Sequence, residues 1–290
     1  MISPGSPIAV VAPSGIHDEE RLERGLTTAR IVGLNVQPFN DLLRPRRYLA
    51  APDQHRLDQL QLALRQPHWG GIWIARGGYG MTRILDRLDL RNLPPTPVIG
   101  FSDITPLLTA LHKHRGGPII HGPVVHSLPV TDRASQDHLF ALLAGRPTAP
   151  LEGTQVVAGK ATGPLVGGNL CLLAATCGTP HQVDCEGAIL VLEDIGEPAY
   201  KLDRMLQQLV SAGALKGVVG VALGQFTDCP VPEDADYTIV DVLMDHLAPL
   251  GVPVLSDLPI GHGPANRAFP VGHEATLADG TLSWAPVTRS

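Results

Sequence analysis

Over the first hundred residues, short and almost wholly apolar runs alternate with segments whose apolar residues recur at helical spacing. PIAVVAP (7–13) leads into DEERLERGLTTARIVG (18–33), and LNVQPF (34–39) into DQHRLDQLQLALRQP (53–67). GIWIARGG (71–78) leads into MTRILDRLDL (81–90), and PVIGF (97–101) into a helix pattern that starts after Asp103. A strand that is apolar on both faces must be covered on both, and helical crossovers supply that cover when the strands run parallel. The cadence therefore predicts an α/β fold with a parallel sheet and helices on both faces. Local signals agree. Asp18 is a predicted N-cap with Glu19 and Glu20 at the positive end of the helix dipole, and Pro67 ends the second helix.

Sheets of this kind carry their chemistry in loops beyond the carboxyl ends of the strands. Two loops fall there, ARGGYG (75–80) and GFSD (100–103). Ser102 in the second has two readings. As a helix cap it is commonplace. As a nucleophile it would sit on a strand-to-helix turn that exposes the hydroxyl and aims free N–H groups at an oxyanion. The G-x-S-x-G pattern is incomplete, because Ile104 stands where the second glycine belongs. The local residues leave both readings open. ARGGYG matches neither G-x-G-x-x-G nor a Walker loop, so it reads as backbone N–H groups near a substrate oxyanion rather than a nucleotide site.

From about Thr131 to Pro164 the chain loosens into AGRPTAPLEGTQVVAGKATGP (144–164). This predicts an N-terminal domain over 1–135, a linker over 136–159 and a smaller β-rich C-terminal domain over 160–290. In the last part, LVGGNLCLL places a tight turn at Gly167–Gly168. A strand GAILVLED (187–194), a helix AYKLDRMLQQLVSAGAL (199–215) and a strand GVVGVALGQF (217–226) follow. Short β-like runs with Gly/Pro turns fill 252–284.

Bulk properties exclude several classes. Hydrophobic residues at 44% against 17% charged fit a chain with a substantial core, not a disordered one. A net charge of -6 leaves no basic footprint, so no nucleic-acid partner is expected. The longest apolar runs, such as AILVL (188–192), fall far short of the roughly 20 residues of a membrane span. The N-terminus has no basic n-region and carries prolines in place of an apolar h-region, which predicts no membrane partner and a cytoplasmic location. Cys171, Cys177, Cys185 and Cys229 form no CxxC pair, so they read as buried reduced thiols, with no zinc or other metal expected.

A nucleophilic serine needs a base and an acid that orients the base, and both need only be near in space. Among 12 histidines, His262 in LPIGHGPAN and His121 in PIIHGPVV stand out as rivals, each beside glycine at the end of a strand-like run. For the acid, LVLEDIGEPAYKLDRML offers Glu193, Asp194 and Glu197, with Glu193 at the carboxyl end of an apolar strand. Asp203 and Arg204 read as helix-face charges.

Eight blocks taken in order resemble the LD-carboxypeptidase family of serine peptidases. They are VVAPSG, IARGGYGMTRILDRLD, VIGFSDITPLLTALH, HGPVV, VGGNLCLLAATCGTP, LVLEDIGEPAYKLDRMLQQL, LGQFTDC and IGHGPAN, and they span nearly the whole chain. The resemblance implies a Rossmann-like N-terminal domain, a smaller β-rich C-terminal domain, an active site between them and a homodimer. It implies a triad of Ser102, Glu193 and His262, with Glu197 as the alternative acid, and an oxyanion hole from the backbone N–H groups of Gly78 and Asp103. The implied reaction releases terminal D-alanine from the L,D bond it makes with meso-diaminopimelate or lysine in murein tetrapeptides, during peptidoglycan recycling and without a cofactor. Arg76 is the candidate for the substrate's terminal carboxylate, against a role in a structural ion pair. Within the same fold, the chain is also similar to microcin C self-immunity peptidases, which hydrolyse aminoacyl-nucleotide analogues. That alternative asks for an aromatic platform, for which Trp69 and Trp284 are candidates, while Trp73 reads as core.

Overall fold

The computed structural model describes residues 1–114 and 116–288. Five of the six strands of its first sheet come early in the chain: β1 (Pro7–Val11), β2 (Asn35–Pro38), β3 (Gly71–Ile74), β4 (Val98–Gly100) and β5 (Ile119–His121). Their four pairings are parallel, in the order β5-β4-β3-β1-β2. β3, β4 and β5 are buried at every residue, as their two-sided apolar sequences require. Pro38, which cannot donate to a ladder, lies in the edge strand β2.

Helices cover both faces. α1 (Glu19–Ile31) and, later, α5 (Arg133–Leu143) pack Leu22, Leu26, Leu139 and Leu142 against one face. α2 (Asp53–Arg65), α3 (Thr82–Leu85) and α4 (Thr105–His114) pack Leu60, Ile84 and Leu107 against the other. Asp18 caps α1 by accepting from the Arg21 N–H at 2.7 Å. α3 is one turn long, shorter than the helix expected over 81–90. Beyond it the chain runs as turns that bury both Leu88 and Leu90, a spacing of two that one helix face does not offer.

The second sheet has eight strands. β6 (Leu151–Glu152), β7 (Thr154–Val157), β8 (Ala161–Asn169), β9 (Ile189–Ile195), β10 (Gly220–Thr227) and β11 (Val254–Ser256) are joined by β13 (Glu274–Ala278) and β14 (Thr281–Trp284). β8, β9, β10 and β11 run parallel at its centre. α6 (Leu170–Ala175), α7 (Ala199–Ser211) and α8 (Ile239–Leu247) share a core with its outer face. β12 (Phe269–Val271) returns to the first sheet and pairs antiparallel with β5.

Three features differ from expectation. Residues 136–159 hold most of α5 and the strands β6 and β7 rather than bare linker, because Leu139, Leu142 and Leu143 are needed on the first sheet. Gly167 and Gly168 lie inside β8, not in a turn. Only Cys185 is buried among the thiols; the other three are half-buried. The inner face of the second sheet contributes Leu165, Val191 and Leu255 to the same apolar cluster as Ile74 and Phe101 of the first half. The two halves therefore share a core, and their strand ends meet along one seam.

Candidate active site

Strand order reverses at β1, which has β2 on one side and β3 on the other, so the loops leaving β1 and β3 diverge and open a crevice. Gly15 and Ile16 from the first loop and Arg76, Gly78 and Tyr79 from the second line it, with Tyr48, around a cavity of about 580 Å³. The loop after β4 lies against the second of these loops at Gly77. Phe101 is extended, then Ser102 turns with φ +63° into a short 3-10 helix, Ser102–Ile104, that runs on into α4. A left-handed conformation at a residue with a Cβ is strained by about 1–3 kcal/mol, and it lifts the hydroxyl out of the turn. No side chain caps this turn. Ser102 therefore does not act as the helix cap its sequence allows.

The hydroxyl is engaged elsewhere. Ser102 Oγ lies 2.9 Å from His262 Nε2, and His262 Nδ1 lies 2.7 Å from Glu193 Oε2. A Glu193 carboxylate can only accept, so Nδ1 carries the proton and Nε2 is left to accept from Ser102. Glu193 is fully buried near the end of β9, while the His262 side chain keeps 13% of its surface exposed. Burial pulls the His262 pKa down, but the Glu193 charge, its hydrogen bond and the nearby Asp194 charge together hold it above the ordinary imidazole value.

The other acids are occupied. Asp194 accepts from Asn169 Nδ2 at 3.0 Å and from the Cys171 N–H at 2.8 Å, and burial pushes its carboxyl up to about 6. Glu197 pairs with Lys201 at 3.3 Å. Of the rival histidines, His121 ends β5 with a wholly buried ring and no hydrogen-bonding partner at either nitrogen.

Gly77 and Gly78 pass close over the serine. A Cβ on Gly77 would lie 2.9 Å from Ser102 Cβ and 3.1 Å from its Oγ, so only glycine admits this approach. Gly78 follows Gly77 in this loop, and the Asp103 N lies 3.5 Å from where a Gly77 Cβ would stand, so both loops bring backbone to the serine. Asp103 also ties the loops together, since its Oδ2 accepts from the Met81 N–H at 2.8 Å, and burial raises its pKa.

Sequence reasoning missed the residue that holds the glycine loop from behind. Arg56 is 1% exposed; it donates to Gly80 O at 2.9 Å, to Ala51 O at 3.1 Å and to Pro13 O, and pairs with Asp53 at 2.6 Å. The signal was present: Arg56 stands one turn before Leu60, on the apolar stripe of α2, where a charge must be paired. Tyr48 and Tyr79 were also missed; they meet edge to face at 5.6 Å in the cavity wall. Trp69 lies instead at the opposite end of β3 against Phe39, Trp73 is core, and Trp284 packs beside His138. Arg76 donates to Ile16 O and borders the cavity; next to it His126, buried and flanked by Arg21 and Arg76, is held at about 4 and stays neutral. Among the described residues no cluster of His, Cys, Asp and Glu is arranged to hold a metal ion.

Residues 8–122 match the LD-carboxypeptidase N-terminal domain and residues 162–277 the LD-carboxypeptidase C-terminal domain. The chain belongs to the LD-carboxypeptidase family. It is 37% identical to the murein tetrapeptide carboxypeptidase of Pseudomonas aeruginosa, over 96% of this chain and 94% of that one. It is 39% identical to a putative carboxypeptidase of Synechocystis, over 98% and 95%. Among solved structures, the muramoyltetrapeptide carboxypeptidase of Oxalobacter formigenes superposes with a TM-score of 0.86 at 30% identity, covering 97% of this chain and 100% of that one. The microcin C7 self immunity protein MccF, in complex with glutamyl sulfamoyl guanosine, also gives 0.86, at 18% identity over 99% and 98%, a likeness of fold alone. The family's two-domain α/β architecture is the one observed, and the chain is a hydrolase of that family.

Proposed function

We propose that this protein is a serine LD-carboxypeptidase that removes terminal D-alanine from murein tetrapeptides by cleaving its bond to meso-diaminopimelate or lysine. The observation that carries the reading is the Ser102–His262–Glu193 relay, at 2.9 and 2.7 Å, beneath the Gly77–Gly78 loop. In this reading residues 1–135 bring the nucleophile and residues 160–290 the acid and the base. His262 Nε2 takes the Ser102 proton as Oγ attacks the scissile carbonyl carbon. The oxyanion draws hydrogen bonds from the Gly78 and Asp103 N–H groups, each worth about 2.7–4 kcal/mol in sites of this kind. Collapse returns the proton from His262 to the departing amine, and water then repeats the sequence on the acyl-enzyme. Glu193 stays ionised and stabilises the imidazolium. Arg76, the cation bordering the cavity, receives the terminal carboxylate.

The finer features are proposed with it: a cytoplasmic homodimer acting in peptidoglycan recycling, with no nucleic-acid or membrane partner. No helix among the described residues is long and apolar enough to cross a membrane. One observation favours a second reading, hydrolysis of an aminoacyl-nucleotide analogue: the Tyr48–Tyr79 pair gives the cavity an aromatic wall.

Mass spectrometry of a tetrapeptide muropeptide incubated with wild-type protein and with Ser102→Ala tests both. D-alanine release by the wild type alone is expected. An intact peptide with folded wild type, together with cleavage of an aminoacyl sulfamoyl adenosine, would move the function to the second reading.

A further inference from the structure

The relay leaves two kinds of buried polar atom unused. Glu193 gives Oε2 to His262, but its Oε1 is buried and has no partner. His121 is wholly buried and neither Nδ1 nor Nε2 has one. Unpaired buried groups of this sort each cost about 1–3 kcal/mol, and two of them beside one reaction centre call for a common explanation.

The surroundings of His121 narrow that explanation. Its ring stacks on Phe269 of β12 at 4.6 Å and meets Phe101 edge-on at 6.0 Å, so two sides are apolar. Its Nε2 faces Gly168 at the end of β8, where a Cβ would lie 2.9 Å from it and 2.8 Å from Thr105 Oγ1. The next residue, Asn169, is the register partner of Glu193 on β9. The charged and titratable groups acting on the ring are Glu193 and His262; Asp194 acts with Glu193 on His262. Burial holds the His121 pKa at about 4, so the ring is neutral wherever His262 works as a base, and a neutral imidazole always carries one N–H donor.

We propose that His121 is a positioning residue for the relay: its ring N–H serves Glu193 Oε1 through one internal water and so keeps the carboxylate turned toward His262. Internal waters are placed by two to four polar partners, and Glu193 Oε1 and a His121 nitrogen supply the first two. The role differs from that of a base, because His121 moves no proton in the reaction. It rests on the reading of Ser102, His262 and Glu193 as the triad.

The test compares His121→Phe with His121→Gln on D-alanine release. Phenylalanine fills the slot between Phe101 and Phe269 and removes the donor; glutamine keeps an N–H donor. The expected result is a loss in kcat of about tenfold to a hundredfold for His121→Phe with KM little changed, by analogy with groups that orient catalytic histidines. The thermal midpoint falls modestly, because a buried donor to Glu193 Oε1 is lost while the apolar slot stays filled. The acid limb of kcat/KM moves to lower pH, since a carboxylate no longer held toward His262 favours its proton less. His121→Gln recovers most of the rate and the wild-type profile. A wild-type rate and profile in His121→Phe overturns the proposal, and so does a glutamine variant as impaired as the phenylalanine one. Should His121→Phe not fold, the comparison of His121→Gln with His121→Leu carries the same two outcomes. Ser102→Ala, measured alongside, separates the two levels: if it retains activity the triad reading fails, whatever His121 does.

Discussion

Two segments of this chain are nearly the same in sequence and opposite in use. Ile120-His121-Gly122-Pro123 ends β5, and Gly261-His262-Gly263-Pro264 follows β11 in a loop. Each presents a histidine at the seam between the sheets, and both rings touch Phe101, at 6.0 and 4.9 Å. The residue before the histidine makes the difference. Isoleucine keeps His121 in strand geometry, pinned between β4 and β12, with its ring sealed from solvent. Gly261, at φ +139°, lets the other backbone turn so that His262 reaches Ser102 on one side and Glu193 on the other. The same three letters thus give a neutral buried ring in one place and a ring held above its ordinary pKa in the other.

The largest effects should come from the partners that only His262 has. Ser102→Ala and His262→Ala are each expected to lower kcat by on the order of 10⁴–10⁶, with the double variant no worse than either, because members of a relay act as one unit. Steady-state rates of D-alanine release with intact thermal midpoints check this; additive losses would break the assignment. Glu193→Gln comes next, at about 10⁴-fold in kcat. It also carries a pH signature. His262 must be neutral to act, so the wild-type kcat/KM rises with pH through a value above 6.5. Removing the Glu193 charge takes away the main influence that raises His262, and the limb moves to lower pH. A limb that stays in place would assign it to another group.

Much of this molecule was legible before its structure. Strands apolar on both faces forced a parallel sheet, and parallel sheets bring strand-end loops together, which put GFSD and ARGGYG on one edge. The relay itself was not legible from periodicity, because Ser102, Glu193 and His262 stand on a turn, a strand end and a loop far apart in the chain and share no spacing rule. The ordered family-like blocks suggested them. The remainder stayed hidden for physical reasons. Arg56 reads as an ordinary helix arginine unless its place on the apolar stripe is weighed. β6, β7 and β12 are two to four residues long, and such strands exist only through their partners. Nothing in either H-G-P segment shows which ring will be sealed.

A matched pair of glycine substitutions sharpens the comparison further. Gly261→Ala places a Cβ 3.2 Å from Gln225 O and 3.3 Å from Glu193 Oε2, on a backbone that L residues rarely adopt. It should cost about 1–3 kcal/mol of stability, and any shift of the His262 ring is amplified to as much as about 10²-fold in kcat. Gly122→Ala places a Cβ 2.6 Å from the Ala268 Cβ, an overpacking error that also costs about 1–3 kcal/mol but lies away from the relay. Denaturant unfolding together with kcat on both variants is the measurement. Similar stability losses with the larger rate loss in Gly261→Ala are expected; equal rate losses would mean that the two segments serve the relay equally.

The smallest expected effect belongs to the residue the two segments share. Phe101 lies 4.9 Å from the His262 ring and precedes the nucleophile, so its face is close to the imidazolium that forms when Ser102 gives up its proton. An aromatic face attracts a cation by about 0.5–1 kcal/mol at partly exposed sites. Phe101→Leu keeps the apolar volume and removes that attraction. The His262 limb should therefore fall by less than about one pH unit, with kcat down severalfold at most. His121 is neutral across the working range and gains nothing from the ring's charge distribution, so the same substitution should leave the His121→Phe difference in kcat unchanged. A double-mutant cycle on Phe101 and His121 that shows strong coupling would mean that the two rings act through each other, and that the sealed histidine reaches the relay through Phe101 rather than Glu193.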